Sequence, residues 1–382
     1  MQLLRVSYRD FRNLVQVDLS PSLGATIAVG QNGQGKTNLL EGIYFLATLK
    51  PLRASRLSEL VRFGQPSARV SGRFLLGGAE REISVEVEKG VRQAFVDGKK
   101  AASLEDYFGG VSVVAFTPDD LEVVKGGPEG RRQFLDRAVF NRFPAFLRES
   151  RAYARALKGR NKLLKEHAPD AYLDPWDEAL AKAGARIWLR RRALMVELAP
   201  RASAAFAAIG RTVDPAHYTY EMAHVQLPSG SDVEGAALDE GLLAQALLEG
   251  LAARRDRDRE RGFTSVGPHA DDVDVRLGER AARSFASQGQ QRALVLGWKI
   301  AEIENLHAHH GFLPLLLLDD VSSELDPERN AYLMDYLARS GAQTFLTTTD
   351  AQLVRAAAGQ GSAWFTVHGG EVTPEPAPAS AP

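Results

Sequence analysis

Apolar and polar positions alternate at the start of the chain. "LLRVSYRDF" (Leu3 to Phe11) and "VQVDLSPS" (Val15 to Ser22) place apolar residues near every second position, the period of a half-buried strand. "GATIAVG" (Gly24 to Gly30) is a short apolar run ending on glycine. The period then changes. In "TNLLEGIYFLATL" the residues Leu39, Leu40, Ile43, Leu46 and Ala47 fall at helical spacing. From Ala68 to Gly98 the pattern predicts three short strands with turns at Gly77-Gly78 and Gly90, and "GVSVVAFTP" predicts a buried strand stopped by Pro118. From Pro128 to about Ile209 the chain is rich in Arg, Ala and Leu at helical period, with Pro144, Pro169 and Pro175 dividing it into at least three helices. Strands return in "DDVDVRL", "LPLLLLDDVS" and "AQTFLTTTD", with a long amphipathic helix over Ala293, Leu294, Leu296, Ile300 and Ile303. The closing "GGEVTPEPAPASAP" predicts disorder.

These periods predict a split α/β domain interrupted by a helical domain. The expected bounds are residues 1–125 and 255–370 for the split α/β domain, 126–254 for the helical insertion, and 371–382 for a disordered tail.

Composition narrows the chemistry. Among 382 residues there is no cysteine, which excludes disulfides and thiolate metal sites and suits a reducing compartment. The start lacks a basic segment followed by an apolar stretch, and the run near Phe312 is too short to span a bilayer, so the expectation is a cytoplasmic protein off the membrane. Net charge is −1, but Arg131 to Glu166 carries eleven Lys/Arg against three Asp/Glu, a local excess able to meet a polyanion. Arg131, Arg132, Arg148, Arg151, Arg155, Arg160 and Lys162 are the candidate phosphate contacts to DNA. No base-reading element is visible, so recognition would follow backbone and shape. The balanced "RRDRDRERG" (Arg254 to Gly262) reads as an exposed helix end, and His269 with Asp271 and Asp272 as a turn with capping acids.

"GQNGQGKT" satisfies G-x-x-x-x-G-K-[ST] through Gly30, Gly35, Lys36 and Thr37. Glycines let successive N–H groups face a polyphosphate, the lysine reaches the β- and γ-phosphates, and the hydroxyl ligates Mg²⁺. The partner acid should end a buried strand; "PLLLLDD" supplies Asp319 for the metal and Asp320 to orient or polarise the attacking water. Ser287 and Gly289 open the long helix, either as an anion site or as an ordinary cap.

"GQNGQGKTN", "SQGQQ" and "LLLLDDVSSELD", in that order, resemble the head of ABC-type ATPases. Asn38 after Thr37 resembles the DNA-working subgroup that includes SMC proteins. "FRN" (Phe11 to Asn13), "LRASRLSELVRFG", "FTPDDLEVVKGGPEGRRQFLD" and "VGPHADDVDV" are similar to the RecF family of bacterial replication and repair proteins. The resemblance implies a mixed-sheet ABC head and ATP with Mg²⁺ as cofactors. The nucleotide contacts it implies are Gly30, Gln31, Asn32, Gly33, Gln34, Gly35, Lys36, Thr37, Asn38 and Arg12. It implies an ATP-dependent homodimer in which Ser287, Gly289 and Gln290 of one copy cover the γ-phosphate held by another. It also implies binding to double-stranded, gapped or junction DNA, RecR and RecO as partners, and recombinase loading in recombinational repair, replication restart and the SOS response. Asp320 replaces the glutamate of many ABC heads, "FLTTTDAQ" has no switch histidine, and "AFTPDDL" shows no glutamine loop, so DNA-stimulated hydrolysis is expected to be slow. The alternatives are a transporter ATPase subunit and an ABC-headed nuclease.

Overall fold

A computed structural model describes residues 1–53, 56–103, 107–108, 110–210, 214–225, 239–359 and 361–375. The chain forms two compact units: Met1–Leu121 with Glu302–Pro382, and Glu122–Ala301.

The first unit holds two sheets. One is antiparallel: β1 (Gln2–Phe11), β2 (Leu14–Leu19), β4 (Ser67–Leu76), β5 (Ala79–Glu88), β6 (Val91–Val96) and β7 (Lys99–Lys100), in the order β2-β1-β4-β5-β6-β7. The alternation in the sequence is its cause: Val6 and Tyr8 are buried, whereas Arg5 and Arg9 on the other face are not. The second sheet contains β3 (Ala25–Val29), β8 (Val113–Phe116), β12 (Leu315–Asp319), β13 (Thr344–Thr348), β14 (Ala363–His368) and β15 (Glu371–Glu375), ordered β15-β14-β3-β13-β12-β8. Its pairings are parallel except β14 with β15. Every residue of β8, β12 and β13 is buried; β8 and the four leucines of β12 accordingly read as unbroken apolar runs, whereas β13 carries Thr344, Thr347 and Thr348. β3 leads through the glycine loop into the helix Lys36–Thr48.

Two differences from the sequence reading lie here. Glu371–Glu375, expected as part of a disordered tail, is a strand hydrogen-bonded to β14 from Trp364 to His368; residues 376–382 lie outside the described set. β2 ends at Leu19, short of Ser22.

The second unit contains the helices Pro128–Arg142, Phe146–Lys165, Asp170–Gly210, Glu240–Ala253 and Arg255–Arg261. It also holds a small sheet of β9 (Ala216–Glu221), β10 (Asp272–Leu277) and β11 (Arg280–Ala281), ordered β11-β10-β9. Because β10 pairs with β9 over Asp272 to Leu277, the chain beyond residue 254 still belongs to this unit, and the boundary falls after Ala301. Pro175 does not end a helix. Pro175 and Pro200 both lie inside Asp170–Gly210. The amide hydrogen bond each proline forfeits is outweighed by a buried stripe including Leu180, Trp188, Leu194, Leu198 and Phe206. That helix is long and apolar enough by composition to be a candidate membrane span, but this stripe is buried within the protein.

Candidate nucleotide site

Gly33 and Gly35 adopt φ of 79° and 112°, a region that favours glycine, and the helix begins at Lys36 immediately after this turn. Gly30 is required for a different reason: a Cβ there would lie 2.4 Å from the Val367 carbonyl oxygen on β14. The loop is therefore a backbone cradle at a helix N-terminus, where N–H groups and the helix dipole favour a polyanion. Lys36 is 6% exposed, and its Nζ donates to the carbonyls of Gly30 at 2.6 Å and Gln31 at 3.1 Å. Burial lowers its pKa, opposed by Asp320 and Asp319.

The acid strand meets this loop. Thr37 Oγ1 donates to Asp319 Oδ1 at 2.8 Å, and Thr347 Oγ1 donates to the same oxygen at 2.9 Å. The other oxygen, Oδ2, pairs with Arg53 Nη2 at 2.7 Å. Asp320 sits at φ 51° directly after β12, its N–H donating to Thr347 Oγ1 at 3.0 Å. Its Oδ1 is buried with no hydrogen-bond partner. Burial raises its pKa, and Lys36 opposes the rise. Arg12, Asn32, Gly33, Gly35, Lys36, Thr37, Asn38, Glu41, Arg53, Pro118, Asp319 and Asp320 line one cavity of about 470 Å³. The residues fit a metal-bound triphosphate: a hydroxyl and a carboxylate 2.8 Å apart, a cradle of glycines, a lysine and an unpartnered carboxylate oxygen.

Two members of this cavity, Glu41 and Arg53, are absent from the expected nucleotide contacts, although Arg53 lies within "LRASRLSELVRFG". Glu41, 1% exposed, accepts from Arg12 Nε at 2.8 Å and from the Arg53 backbone N–H at 3.1 Å. It thus holds two arginines at the rim. A glutamate inside an otherwise apolar helix stripe (Leu39, Leu40, Glu41, Ile43) is the available signal.

Ser287, Gly289 and Gln290 belong to the second unit and do not line this cavity. Ser287 N–H donates to Gln290 Oε1 at 2.9 Å, and Gln290 N–H donates back to Ser287 Oγ at 3.2 Å. This reciprocal pair is a capping box on the helix Gln288–His310.

The arginines of the second unit divide. Arg148, Arg151, Arg155 and Lys162 are exposed. Arg160 is fully buried, and this corrects its place among the DNA contacts: Nε donates to Asp177 at 2.5 Å, and Nη1 donates to Asp258 at 2.8 Å and Thr264 at 2.9 Å. Arg131 is likewise buried, with a bidentate pair to Asp272 at 2.7 and 2.8 Å, and Arg132 donates to the Asp271 carbonyl at 2.7 Å. The "RRDRDRERG" segment is not merely an exposed end. Asp258 is wholly buried, and Arg255 joins Asp174 and Asp177, each at 2.7 Å. Nor is Asp271 a surface cap: it is buried, its pKa raised by that burial, and it accepts from Trp188 Nε1 at 2.6 Å, the Ala223 N–H at 2.9 Å and the Tyr220 hydroxyl. His269 bonds instead with Tyr153 at 2.6 Å and the Thr264 carbonyl at 2.9 Å.

A phosphate loop on β3, an acid ending the nearby β12 and a long inserted second unit define a P-loop ATPase of the SMC-like ABC class. The family model described as "RecF/RecN/SMC N terminal domain" matches residues 2–371. The chain is 73% identical to the DNA replication and repair protein RecF of Myxococcus xanthus (strain DK1622), covering 100% of both. It is 54% identical to that of Anaeromyxobacter sp. (strain Fw109-5), covering 98% of this chain and 99% of the other. Among solved structures, the recombination mediator protein RecF-ATPrS of the RecFOR pathway superposes with TM-score 0.86 at 31% identity, over 97% of each chain. An SMC head bound to the C-winged helix domain of ScpA gives TM-score 0.55 at 16% identity over 98% of this chain and 97% of the other, a likeness of fold alone. The chain belongs to the RecF family of DNA replication and repair proteins, which displaces the transporter and nuclease alternatives.

Proposed function

We propose that this chain binds ATP with Mg²⁺ at the glycine-loop cavity, dimerises on it, hydrolyses it slowly and acts on DNA in recombinational repair. The observation that carries the reading is the 2.8 Å bond between Thr37 and Asp319, which joins the loop to the acid strand beside Lys36. Thr37 and Asp319 would hold the metal, which supplies charge neutralisation at the β- and γ-oxygens. Lys36 would exchange its loop carbonyls for phosphate oxygens. Asp320, beside Lys36 with one oxygen unpartnered, is the group able to orient a water, and its short side chain supports slow turnover. The 31% identical solved structure, described as RecF-ATPrS, favours the same ligand.

Ser287, at its helix N-terminus, would cover the γ-phosphate held by a second copy, a role its capping box does not preclude. DNA would meet the helix Phe146–Lys165. There Arg148, Arg151, Arg155, Lys158 and Lys162 recur three and four residues apart and are all exposed. They form one basic stripe about 20 Å long. Double-stranded DNA with gaps or junctions, and RecR and RecO as partners in recombinase loading, follow from the family.

Light scattering with and without ATP tests the dimer. Wild type should double in mass with ATP. Lys36→Ala should neither bind nucleotide nor dimerise, and Ser287→Arg should bind yet stay monomeric. A dimer of Ser287→Arg that forms as readily as wild type contradicts the shared site.

A further inference from the structure

The glycine loop is held from outside by two turns, one between β1 and β2 and one between β14 and β15. Gln34, at its crest, accepts at its backbone carbonyl from Asn13 Nδ2 at 3.1 Å and from the Gly370 N–H at 2.9 Å. Its side-chain Oε1 accepts from the Gly369 N–H at 2.7 Å. Asn13, in the turn between β1 and β2, also accepts from Asn38 Nδ2 at 2.7 Å. The fit leaves no room. A Cβ on Gly370, at φ 88°, would lie 2.2 Å from the Asn13 carbonyl oxygen, and one on Gly35 would lie 2.7 Å from the Asn13 side chain. β14 itself packs against the loop's start, pairing Thr366 with Val29.

We infer that the β14–β15 turn, Gly369–Gly370, braces the nucleotide site from behind the cavity lining: with Asn13 it fixes Gln34 and so sets the loop's phosphate-binding shape. Gln34, Asn13 and the two glycines are positioning residues, acting through the loop. This rests on the nucleotide site proposed above. A loop held in its binding shape before the ligand arrives avoids the ordering loss on binding. Coupling is reciprocal, so nucleotide bound to the loop must in turn steady the turn.

The test uses the full chain and titrates ATPγS with Mg²⁺ into wild type, Gly370→Ala, Gln34→Met and Gly77→Ala. Gly77 turns between β4 and β5 at φ 56° with nothing within 4 Å of an added Cβ, so its variant reports turn strain alone. Gly370→Ala should weaken binding about tenfold or more, and Gln34→Met by about three- to tenfold, as expected for losing hydrogen bonds that hold a charge-binding loop. Gly77→Ala should bind like wild type. Should Gly370→Ala fail to fold, Gln34→Met decides, since it leaves the turn's backbone intact. Hydrogen exchange of the Gly369 and Gly370 amides should slow when ATPγS binds wild type. Unchanged affinity in Gln34→Met together with unchanged exchange overturns the inference. A wild type that binds no ATPγS overturns the nucleotide site itself.

Discussion

Charged side chains are dense in both units, yet they are used in opposite ways. At the glycine loop, Lys36, Arg12, Arg53, Glu41, Asp319 and Asp320 converge on an open cavity, and one carboxylate oxygen of Asp320 has no partner. In the second unit, Arg160, Arg131 and Arg191 are buried and closed by carboxylates: Asp177 and Asp258, Asp272, and Asp136 at 2.8 Å. The first arrangement is prepared for an external charge. The second is paired internally and ties helices to one another and, through Arg131 and Asp272, to β10. Charge density does not separate the two, and each holds a buried polar atom without a partner, Asp320 Oδ1 and Arg160 Nη2. What separates them is that the first group lines an open cavity and Arg160 is fully buried.

That contrast is sharpest at Arg160. Arg160→Ala leaves Asp258 buried without its cation and strips one of Asp177's two arginines. Removing one partner of a buried pair costs about 3–5 kcal/mol. Denaturant unfolding of the full chain should show that loss, whereas Arg155→Ala should change stability little. Equal, small losses for both would erase the distinction between the closed and the exposed arginines.

Smaller in energy but opposite in kind is the exposed stripe. Replacing Arg151, Arg155, Lys158 and Lys162 by Ala should leave folding intact and weaken duplex binding uniformly across sequences. The slope of log affinity against log salt should become shallower by roughly one unit for each phosphate no longer neutralised. A quadruple variant with an unaltered slope would place DNA elsewhere.

The smallest effect concerns Asp320. Burial raises its pKa above the ordinary 3.8, so the folded state binds its proton more tightly and its ionisation opposes folding. Asp320→Asn should therefore melt higher than wild type near pH 7. The advantage should shrink as pH falls toward 3.8 and below, where the wild type is protonated in both its folded and unfolded states. Thermal melts at several pH values measure it; a gain that grows toward acid would contradict the assignment.

The phosphate loop and its acid are legible because their signals are local. The spacing of Gly30, Gly35, Lys36 and Thr37 is complete within eight residues, and Asp319 follows four leucines. The helical periodicity of the second unit is equally plain, but a count of its arginines ignores helix face. Arg160 lies in the stripe Tyr153, Ala156, Leu164, and Arg131 shares one with Phe134, Leu135 and Ala138, all buried. Three- and four-residue spacing thus separates these arginines from Arg151 and Arg155. The ties from Gly369 and Gly370 to Gln34 span more than three hundred residues, and no local period encodes them. The same holds for Arg53 with Asp319 and for β9, whose pairing with β10 moves the domain boundary.

The central claim is that the open cavity at Lys36 and Asp319 receives a metal-bound triphosphate. Calorimetric titration of ATPγS with Mg²⁺ into wild type, Lys36→Ala and Arg160→Met tests it most directly. The account predicts saturable one-to-one binding per chain for wild type, a loss of at least about a hundredfold, near 2.7 kcal/mol, for Lys36→Ala, and retained binding for whatever Arg160→Met remains folded. Binding to Lys36→Ala as tight as to wild type would contradict it.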